Sequence, residues 1–466
     1  MADPSPATGA LKLSIAGIRG AAGTALTPVL AIRLAAAFGA YLREGERPPR
    51  VILARDTRPS GPMLAAAVRS ALLATGCDVL DLGVLPTPVM QWNLRRLGCD
   101  GGVAITAGHG PEHWNALKFI GPEGIFLDPQ QGGELLDHFH HNRPPWAATE
   151  ALGRLEPESA AARESALAAH RAAVLALVPR EAIAARRFRV AVDLANGACC
   201  AATPALLEAL GCEVIPINDE PDQPFPHAPE PNVANMAQLR AVVRAGKADI
   251  GFCHDADGDR LGLVTERAEP LAAAYTLALC AEAVLGAQGA GVVVANLSTS
   301  WVVDAAARRY GGSVRRVKVG QSFIAEGVHV YDALLGGEGS GGVMFPRLGL
   351  AQDSLAAMAH LLGLLAVRDQ ALSALVGELP RLAWAEERWP AAPGAAFAAL
   401  TALREWAARE MPAEAVDLSE GVRLEWPGEA WVHVRSSLTE PILRLIGEGV
   451  DEEALRARMA LVRGVI

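Results

Sequence analysis

The sequence predicts an α/β protein: three similar α/β units with mixed, mainly parallel sheets, followed by a smaller C-terminal α+β unit. Three observations carry this. Short apolar runs beginning at Val51, Val79, Gly102, Phe188, Glu213, Asp249, Gly291 and Val314 alternate with helix-length segments, the pattern of a sheet with crossover helices. At 466 residues the chain is too long for one core. From about Pro380 the composition changes, and a few helices and strands make a separate end unit.

In chain order, residues 11–20 read as a strand entering a turn, with Arg19 between Ile18 and Gly20 on a tight backbone. Thr27 and Pro28 open an amphipathic helix, the threonine as cap and the proline at the first helical position. Residues 51–61 form a strand and polar loop, and a helix runs on to Ala74. A strand at 79–84 ends at Pro86-Thr87-Pro88, and the first unit, 10–148, closes through the turn-rich Asn142-Arg143-Pro144-Pro145. An alanine-rich helix over 158–177 belongs to the second unit, 152–256. That unit has strands at 188–193, 213–217 and 249–253 and a proline-rich loop at 219–231. The third unit, 257–370, repeats the form with helices at 271–285 and 301–310, strands at 291–295 and 314–317, and a helix from Ser354. The likeness is one of fold, without a residue-level repeat. The end unit, 380–466, takes helices at 395–408 and 452–462 and strands at 421–426, 431–435 and 442–447.

A net charge of −10 argues against a nucleic-acid or anionic-membrane surface. It leaves phosphate ligands open, because local basic groups hold those. Seven scattered cysteines without a CxxC pair read as reduced, and place the chain in the cytoplasm. The start, MADPSPATGA, reads as a short disordered lead without a signal segment. No apolar run reaches the ~18 residues needed to span a bilayer. The longest, 271–285, is interrupted by Glu282 and reads as a buried helix.

Four loops concentrate chemistry. The stretch 101–120, GGVAITAGHGPEHWNALKFI, is a buried-looking strand that breaks into a polar loop with Thr106, Gly108 and His109, then reaches Lys118. Strand ends of this kind are where α/β enzymes place their sites. Asp255-Ala256-Asp257-Gly258-Asp259-Arg260 sets three carboxylates at alternate positions. At ~4 Å each pair repels by a few kcal/mol, and a divalent cation such as Mg²⁺ or Ca²⁺ removes that cost. An EF-hand is excluded: Arg260 stands where glycine is needed, and the flanks read as strands. Residues 336–342, GGEGSGG, offer the Glu338 carboxylate and the Ser340 hydroxyl, which suit sugar hydroxyls. Residues 435–444, RSSLTEPILR, gather Arg435, Ser436, Ser437, Thr439 and Arg444, which suit a phosphate dianion. His138-Phe139-His140-His141 fits no metal spacing and reads as a surface helix end, while Trp426 and Trp431 read as core.

Together these stretches resemble the α-D-phosphohexomutases, the phosphoglucomutase/phosphomannomutase/phosphoglucosamine mutase family, over nearly the whole length. The family's phosphoserine loop usually reads T-A-S-H-N-P and continues in one branch into W-N-A-L-K. This chain keeps Thr106, Ala107, His109, Pro111 and Trp114-Asn115-Ala116-Leu117-Lys118, with Gly108 and Gly110 in place of the serine and asparagine. Residues 255–260 resemble the metal loop D-x-D-x-D-R. Residues 337–341 resemble the sugar loop G-E-x-S-G, with Gly342 where histidine usually follows. Lys318-Val319-Gly320 matches a segment that faces the sugar. Residues 435–444 resemble the phosphate loop R-P-S-G/N-T-E-P-x-x-R, with Ser436 and Leu438 as departures.

The resemblance implies Mg²⁺ on Asp255, Asp257 and Asp259, with Arg260 beside the transferring phosphate. It implies substrate contacts from Lys318, Gly320, Glu338 and Ser340, and phosphate contacts from Arg435, Ser436, Ser437, Thr439 and Arg444. Arg19, His109 and Lys118 would move protons or steady hydroxyls. In the family a phosphoserine gives its phosphoryl group to a sugar monophosphate; the bisphosphate turns over and re-phosphorylates the serine. Gly108 cannot take part in that cycle. The expectation is therefore a mutase-like protein that binds hexose phosphates and interconverts sugar 1- and 6-phosphates without a phosphoserine. Either a sugar 1,6-bisphosphate donates directly or Thr106 substitutes as nucleophile. The alternatives are a phosphosugar enzyme that hydrolyses or rearranges its ligand, and a non-catalytic sugar-phosphate-binding regulator. The sequence leaves the hexose and the oligomeric state open.

Overall fold

The computed structural model describes residues 11–14, 17–43, 47–141, 146–437 and 442–466. The N-terminal lead, the turn at 142–145 and Thr439 lie outside the described residues.

One topology occurs three times. In the first unit Asp78–Val84, Arg50–Arg55 and Gly101–Ile105 lie side by side and parallel, and Trp114–Ile120 returns antiparallel on the outer side of Gly101–Ile105. In the second the same places are taken by Glu213–Ile217, Arg189–Asp193, Ile250–His254 and the antiparallel Leu261–Thr265. In the third they are taken by Ser313–Val317, Val292–Asn296, Leu335–Gly337 and the antiparallel Val343–Met344. The repeat expected at the level of fold is present. The first sheet is extended to seven strands by Gly17–Ala21, Lys12–Ser14 and Leu155–Glu156. The C-terminal sheet has five strands, all antiparallel.

Each α/β unit therefore ends in a hairpin, and the three hairpin loops are residues 106–113, 255–260 and 338–342. Three of the four chemistry-bearing loops are the same element in three copies. The fourth joins Ala430–Ser436 to Ile442–Gly449, again between antiparallel neighbours. The boundary expected between residues 256 and 257 falls inside the second hairpin. One ladder pairs Ile250–His254 with Leu261–Thr265, so the second sheet runs on to Thr265.

Local chemistry explains both the elements foreseen and those missed. Gly101–Ile105 is buried along its whole length, which is why it reads as a continuous apolar run. Pro86-Thr87-Pro88, expected only to end a strand, opens the helix Thr87–Arg96 with proline in its first turn. Asp128 and Gln131 form a capping box at the head of Pro129–His140, whose last turn carries His138 and His140. The helix Gln321–Val330 and the edge strand Ala383–Pro390 were also not foreseen. The strand alternates half-buried and exposed residues and carries Glu386, Glu387 and Arg388 in its middle. Trp431 is fully buried, and the cysteines are free thiols, most of them buried. Among the described residues no helix is long and apolar enough to cross a membrane. Glu282, inside the buried helix Ala274–Gln288, pairs with Arg309 at 2.9 Å.

The C-terminal unit docks on the third through a polar seam. Buried Glu448 accepts the Trp301 N–H at 2.7 Å, the Trp431 Nε1–H at 3.0 Å and the Ser300 hydroxyl. His433 Nε2 faces the Glu420 carbonyl at 2.9 Å, so that nitrogen carries the proton and Nδ1 accepts from Ser298 Oγ at 2.8 Å. Burial holds the His433 pKa at about 4, against an ordinary 6.5. Because the folded value is depressed, His433 contributes stability that is whole above pH 6.5 and is lost as pH falls toward 4. Amide protection along Ala430–Ser436, taken relative to the intrinsic exchange rate at each pH, is expected to fall through that window. A His433→Gln variant, which has no proton to take up there, should lack the step.

Candidate active site

The first loop is held from behind by Arg58. This guanidinium is fully buried. Its Nε donates to Asp56 Oδ2 at 2.9 Å, Nη1 to the Pro111 carbonyl at 2.5 Å, and Nη2 to the carbonyls of Gly108 (2.6 Å) and Gly110 (2.8 Å). One side chain thus donates to three loop carbonyls, of which that of Pro111 also accepts the Trp114 N–H at 3.0 Å. Thr106 Oγ1 lies 2.6 Å from Asp56 Oδ2 and 3.2 Å from Asp257 Oδ2 and accepts the Gly108 N–H at 2.9 Å. Its residue is 1% exposed, so this hydroxyl is committed to the loop's underside. Gly108 has φ +55°, in the left-handed region, and a Cβ there would stand 3.3 Å from Asp257 Oδ1.

The second loop faces it. Asp255, Asp257 and Asp259 are 1%, 1% and 4% exposed. Asp257 Oδ2 accepts from Lys118 Nζ at 2.8 Å and Thr87 Oγ1 at 3.2 Å, and the Asp257 carbonyl accepts the Thr87 N–H at 2.8 Å. Lys118 also reaches Asp259 Oδ2 at 3.4 Å. Burial opposes the Lys118 ammonium, but Asp257 and Asp259 outweigh it and raise its pKa above the ordinary value. Burial, then Asp257 and Asp259, push Asp255 well up; burial and Asp257 push Asp259 up to about 7. Asp257 goes the other way: burial raises it, but Lys118, through its charge and its hydrogen bond, and Arg58 hold it below the usual carboxylate range. His109 is held well below its ordinary pKa by Arg260, by burial and by Lys118 and Arg19, against the pull of Asp257. It is a neutral imidazole among cations.

The second loop is also buttressed from beneath. Ser354 Oγ donates to the Gly258 carbonyl at 2.6 Å, so His254 Nδ1–H donates to Ser354 Oγ at 2.8 Å. His254 Nε2 then accepts from Thr203 Oγ1 at 3.0 Å. This directed chain ends on the loop backbone. Burial keeps His254 neutral, with a pKa of about 4.

The donor set of the second loop fits a hard divalent cation. Asp257 Oδ1 and Asp259 Oδ1 are buried without a hydrogen-bond partner, and both are carboxylate oxygens. Among the described residues no three such side chains already converge on one point; Lys118 instead bridges two of them through their Oδ2 atoms.

The third loop meets the second through a bridge between Arg260 and Gly342 and through the Leu261 N–H to the Gly341 carbonyl at 3.1 Å. Arg260 also lies 3.8 Å from Glu230. Glu338 is buried, with Oε1 on Asn296 Nδ2 at 3.0 Å and Oε2 on Gln352 Nε2 at 3.0 Å. Ser340 Oγ is buried without a partner. Arg435 and Arg444 face each other on neighbouring strands, and each has a buried Nε without a partner. The field of Glu338 acts on Arg435, as does that of Glu420, which lies 3.6 Å away. Glu420 also accepts the Val319 N–H at 2.5 Å, which ties the fourth loop's strand to Lys318-Val319-Gly320. Lys318 itself is exposed above the Phe323 ring, and Gly320, at φ +140°, caps Gln321–Val330. Ser436 and Ser437 stand at the end of the Ala430–Ser436 strand.

The fold thus brings Arg19, Gly108, His109, Lys118, the three aspartates and Arg260 into one cluster, with Glu338 and Arg435 beside it. Sequence reasoning missed the supporting residues: Asp56, Arg58, Thr87, His254, Gln321, Gln352, Ser354 and Glu420. A signal existed for two of them, since Asp56-x-Arg58 is a charge pair set between a buried strand and a proline-led helix.

Three repeated hairpins whose loops carry a histidine, three aspartates and a glutamate, with a pair of facing arginines near the third, define an α/β protein of the phosphosugar mutase class. Residues 11–145, 168–268 and 273–382 match the family models for phosphoglucomutase/phosphomannomutase alpha/beta/alpha domains I, II and III. A "Phosphoglucomutase/phosphomannomutase" of Thermococcus kodakarensis is 36% identical over 96% of both chains. A "Probable phosphoglucosamine mutase" of Methanopyrus kandleri is 36% identical over 94% of both. The crystal structure of a phosphoglucomutase/phosphomannomutase family protein from Burkholderia thailandensis superimposes with a TM-score of 0.81 at 28% identity, covering 96% of this chain and 94% of that one. The chain belongs to the α-D-phosphohexomutase family.

Arg58→Met is expected to cost about 3–5 kcal/mol, because it leaves Asp56 charged and buried alone. Adding Asp56→Asn should recover part of that loss, so the pair is less than additive in denaturant unfolding. Amide exchange over residues 106–110 should rise in both variants.

Proposed function

We propose that this protein is a Mg²⁺-dependent phosphohexomutase in which a sugar 1,6-bisphosphate, and not the chain, carries the phosphoryl group. The carrying observation is the pair Gly108 and Thr106. The first has no nucleophile to offer beside Asp257, and the second has its hydroxyl buried against Asp56. Thr106 is therefore assigned to hold the loop, not to attack phosphorus.

On this reading Arg435 and Arg444 hold the acceptor's non-reacting 1-phosphate through their unpartnered Nε groups. Glu338 and Ser340 take sugar hydroxyls, and Lys318 and Gly320 line the same side. Asp255, Asp257 and Asp259 would hold Mg²⁺, which would supply positive charge beside the moving group. Neutral His109 takes the proton of the acceptor hydroxyl as that oxygen bonds to phosphorus. Arg19, Lys118 and Arg260 surround the phosphoryl group with positive charge. The P–O bond to the donor's C1 oxygen breaks, and the proton held on His109 passes to that oxygen. The donor leaves as the 6-phosphate, and the acceptor becomes the next bisphosphate. The hexose is a hexose phosphate of the glucose, mannose or glucosamine series.

Initial rates with glucose, mannose and glucosamine 1-phosphates should require added bisphosphate and give intersecting double-reciprocal lines, the pattern of a ternary complex. Parallel lines would mean a covalent phosphoenzyme. Chelation of the metal should abolish turnover and Mg²⁺ should restore it. Release of inorganic phosphate alone would replace the mutase with a hydrolase, and binding without any product would leave a sugar-phosphate-binding regulator. Gly108→Ser should shift the kinetics toward parallel lines, at a backbone cost of roughly 1–2 kcal/mol for a serine held at positive φ.

A further inference from the structure

We infer that Gln321 and Gln352 are positioning residues for Glu338: a buried amide relay that fixes the carboxylate of the third hairpin loop relative to Asp259 of the second. The inference rests on Glu338 being the hexose-facing carboxylate of the proposed function. Gln352 is fully buried. Its Nε2 donates to Glu338 Oε2 at 3.0 Å, and its Oε1 accepts from Gln321 Nε2 at 2.8 Å. The second N–H of Gln321 Nε2 points to Asp259 Oδ2 at 3.2 Å. Asn296 Nδ2 holds the other Glu338 oxygen at 3.0 Å, so both oxygens are pinned and each keeps a lone pair for a sugar hydroxyl.

A second observation shows that this place is built for the amide. A Cβ on Gly342 would fall 2.2 Å from Gln352 Oε1 and 2.3 Å from its Cδ. The side-chain space of position 342 is already filled by Gln352, which arrives from the segment leading into Ser354–Arg368. Volume alone does not require an amide there, since methionine has nearly the same shape. What an amide adds is two directed hydrogen bonds, one toward each loop. Whatever shifts Asp259 is felt at Glu338, so the hexose contact and the acidic loop act as one unit.

The test titrates glucose 1-phosphate and, separately, inorganic phosphate into the full chain and into Gln352→Met by calorimetry. The variant should bind glucose 1-phosphate about tenfold more weakly, the effect of losing one directed hydrogen bond to a charged partner. Inorganic phosphate, held by Arg435 and Arg444, should bind unchanged. Equal losses for both ligands, or no loss for either, overturn the relay. Should Gln352→Met fail to fold, Gln321→Met, at a partly buried partner, carries the same comparison. A full chain that binds inorganic phosphate but not glucose 1-phosphate sinks the hexose-phosphate reading. The relay is then decided by crystal structures of the full chain and of the variant. A displaced Glu338 carboxylate upholds it, and an unmoved one overturns it.

Discussion

Three carboxylates buried on one six-residue loop are the constraint around which the molecule is organised. Left alone, Asp255, Asp257 and Asp259 would repel one another in a medium that screens poorly. The fold answers with charge and dipoles drawn from other units. Lys118 comes from the first hairpin, Thr87 from a helix start, and the Arg260 N–H from the loop itself, 3.1 Å from Asp255 Oδ1. Two oxygens are still left without partners. That remaining demand is what a hard divalent cation would meet, and it is the ground of the metal role proposed for the loop. The same field explains His109, which stays neutral because the cations gathered for the aspartates surround it.

The repeat makes this arrangement possible. One hairpin occurs in three copies, with a different loop in each. One copy carries His109 and, on its return strand, Lys118; the next carries three aspartates; the third carries Glu338. Contacts between the loops are short and polar, through the bridge from Arg260 to Gly342 and through Gln321 and Gln352. The C-terminal unit approaches the same region through Glu448, His433 and Glu420.

The sequence displayed the loops but not what supports them. Acidic, glycine-rich and arginine-rich motifs are local, so Asp255 to Arg260, Glu338 and Arg435 to Arg444 could be picked out before any fold was known. Arg58 could not be assigned a role in the same way. Its importance comes from lying under carbonyls some fifty residues away, as the separations of Gly108 and Gly110 from it show. Gln352 is a common polar residue until its burial and its place against Gly342 are seen. Among the elements, buried parallel strands were legible from their apolar runs. The helices at Thr87–Arg96 and Gln321–Val330 were not, because proline and glycine at their starts also signal turns. The boundary placed at 256/257 divides an acidic loop whose two flanking strands, though legible, turn out to pair in one ladder.

The central claim is that the phosphoryl group travels on the ligand and never on the chain. The most direct measurement incubates the protein with Mg²⁺, a hexose 1-phosphate and a sugar 1,6-bisphosphate radiolabelled in its phosphates, then separates protein from sugars after a single turnover and after many. The account predicts label spreading through the sugar monophosphate and bisphosphate pools, with the chain unlabelled at every time. Label bound covalently to the chain in step with turnover, at Thr106 or anywhere else, would contradict it.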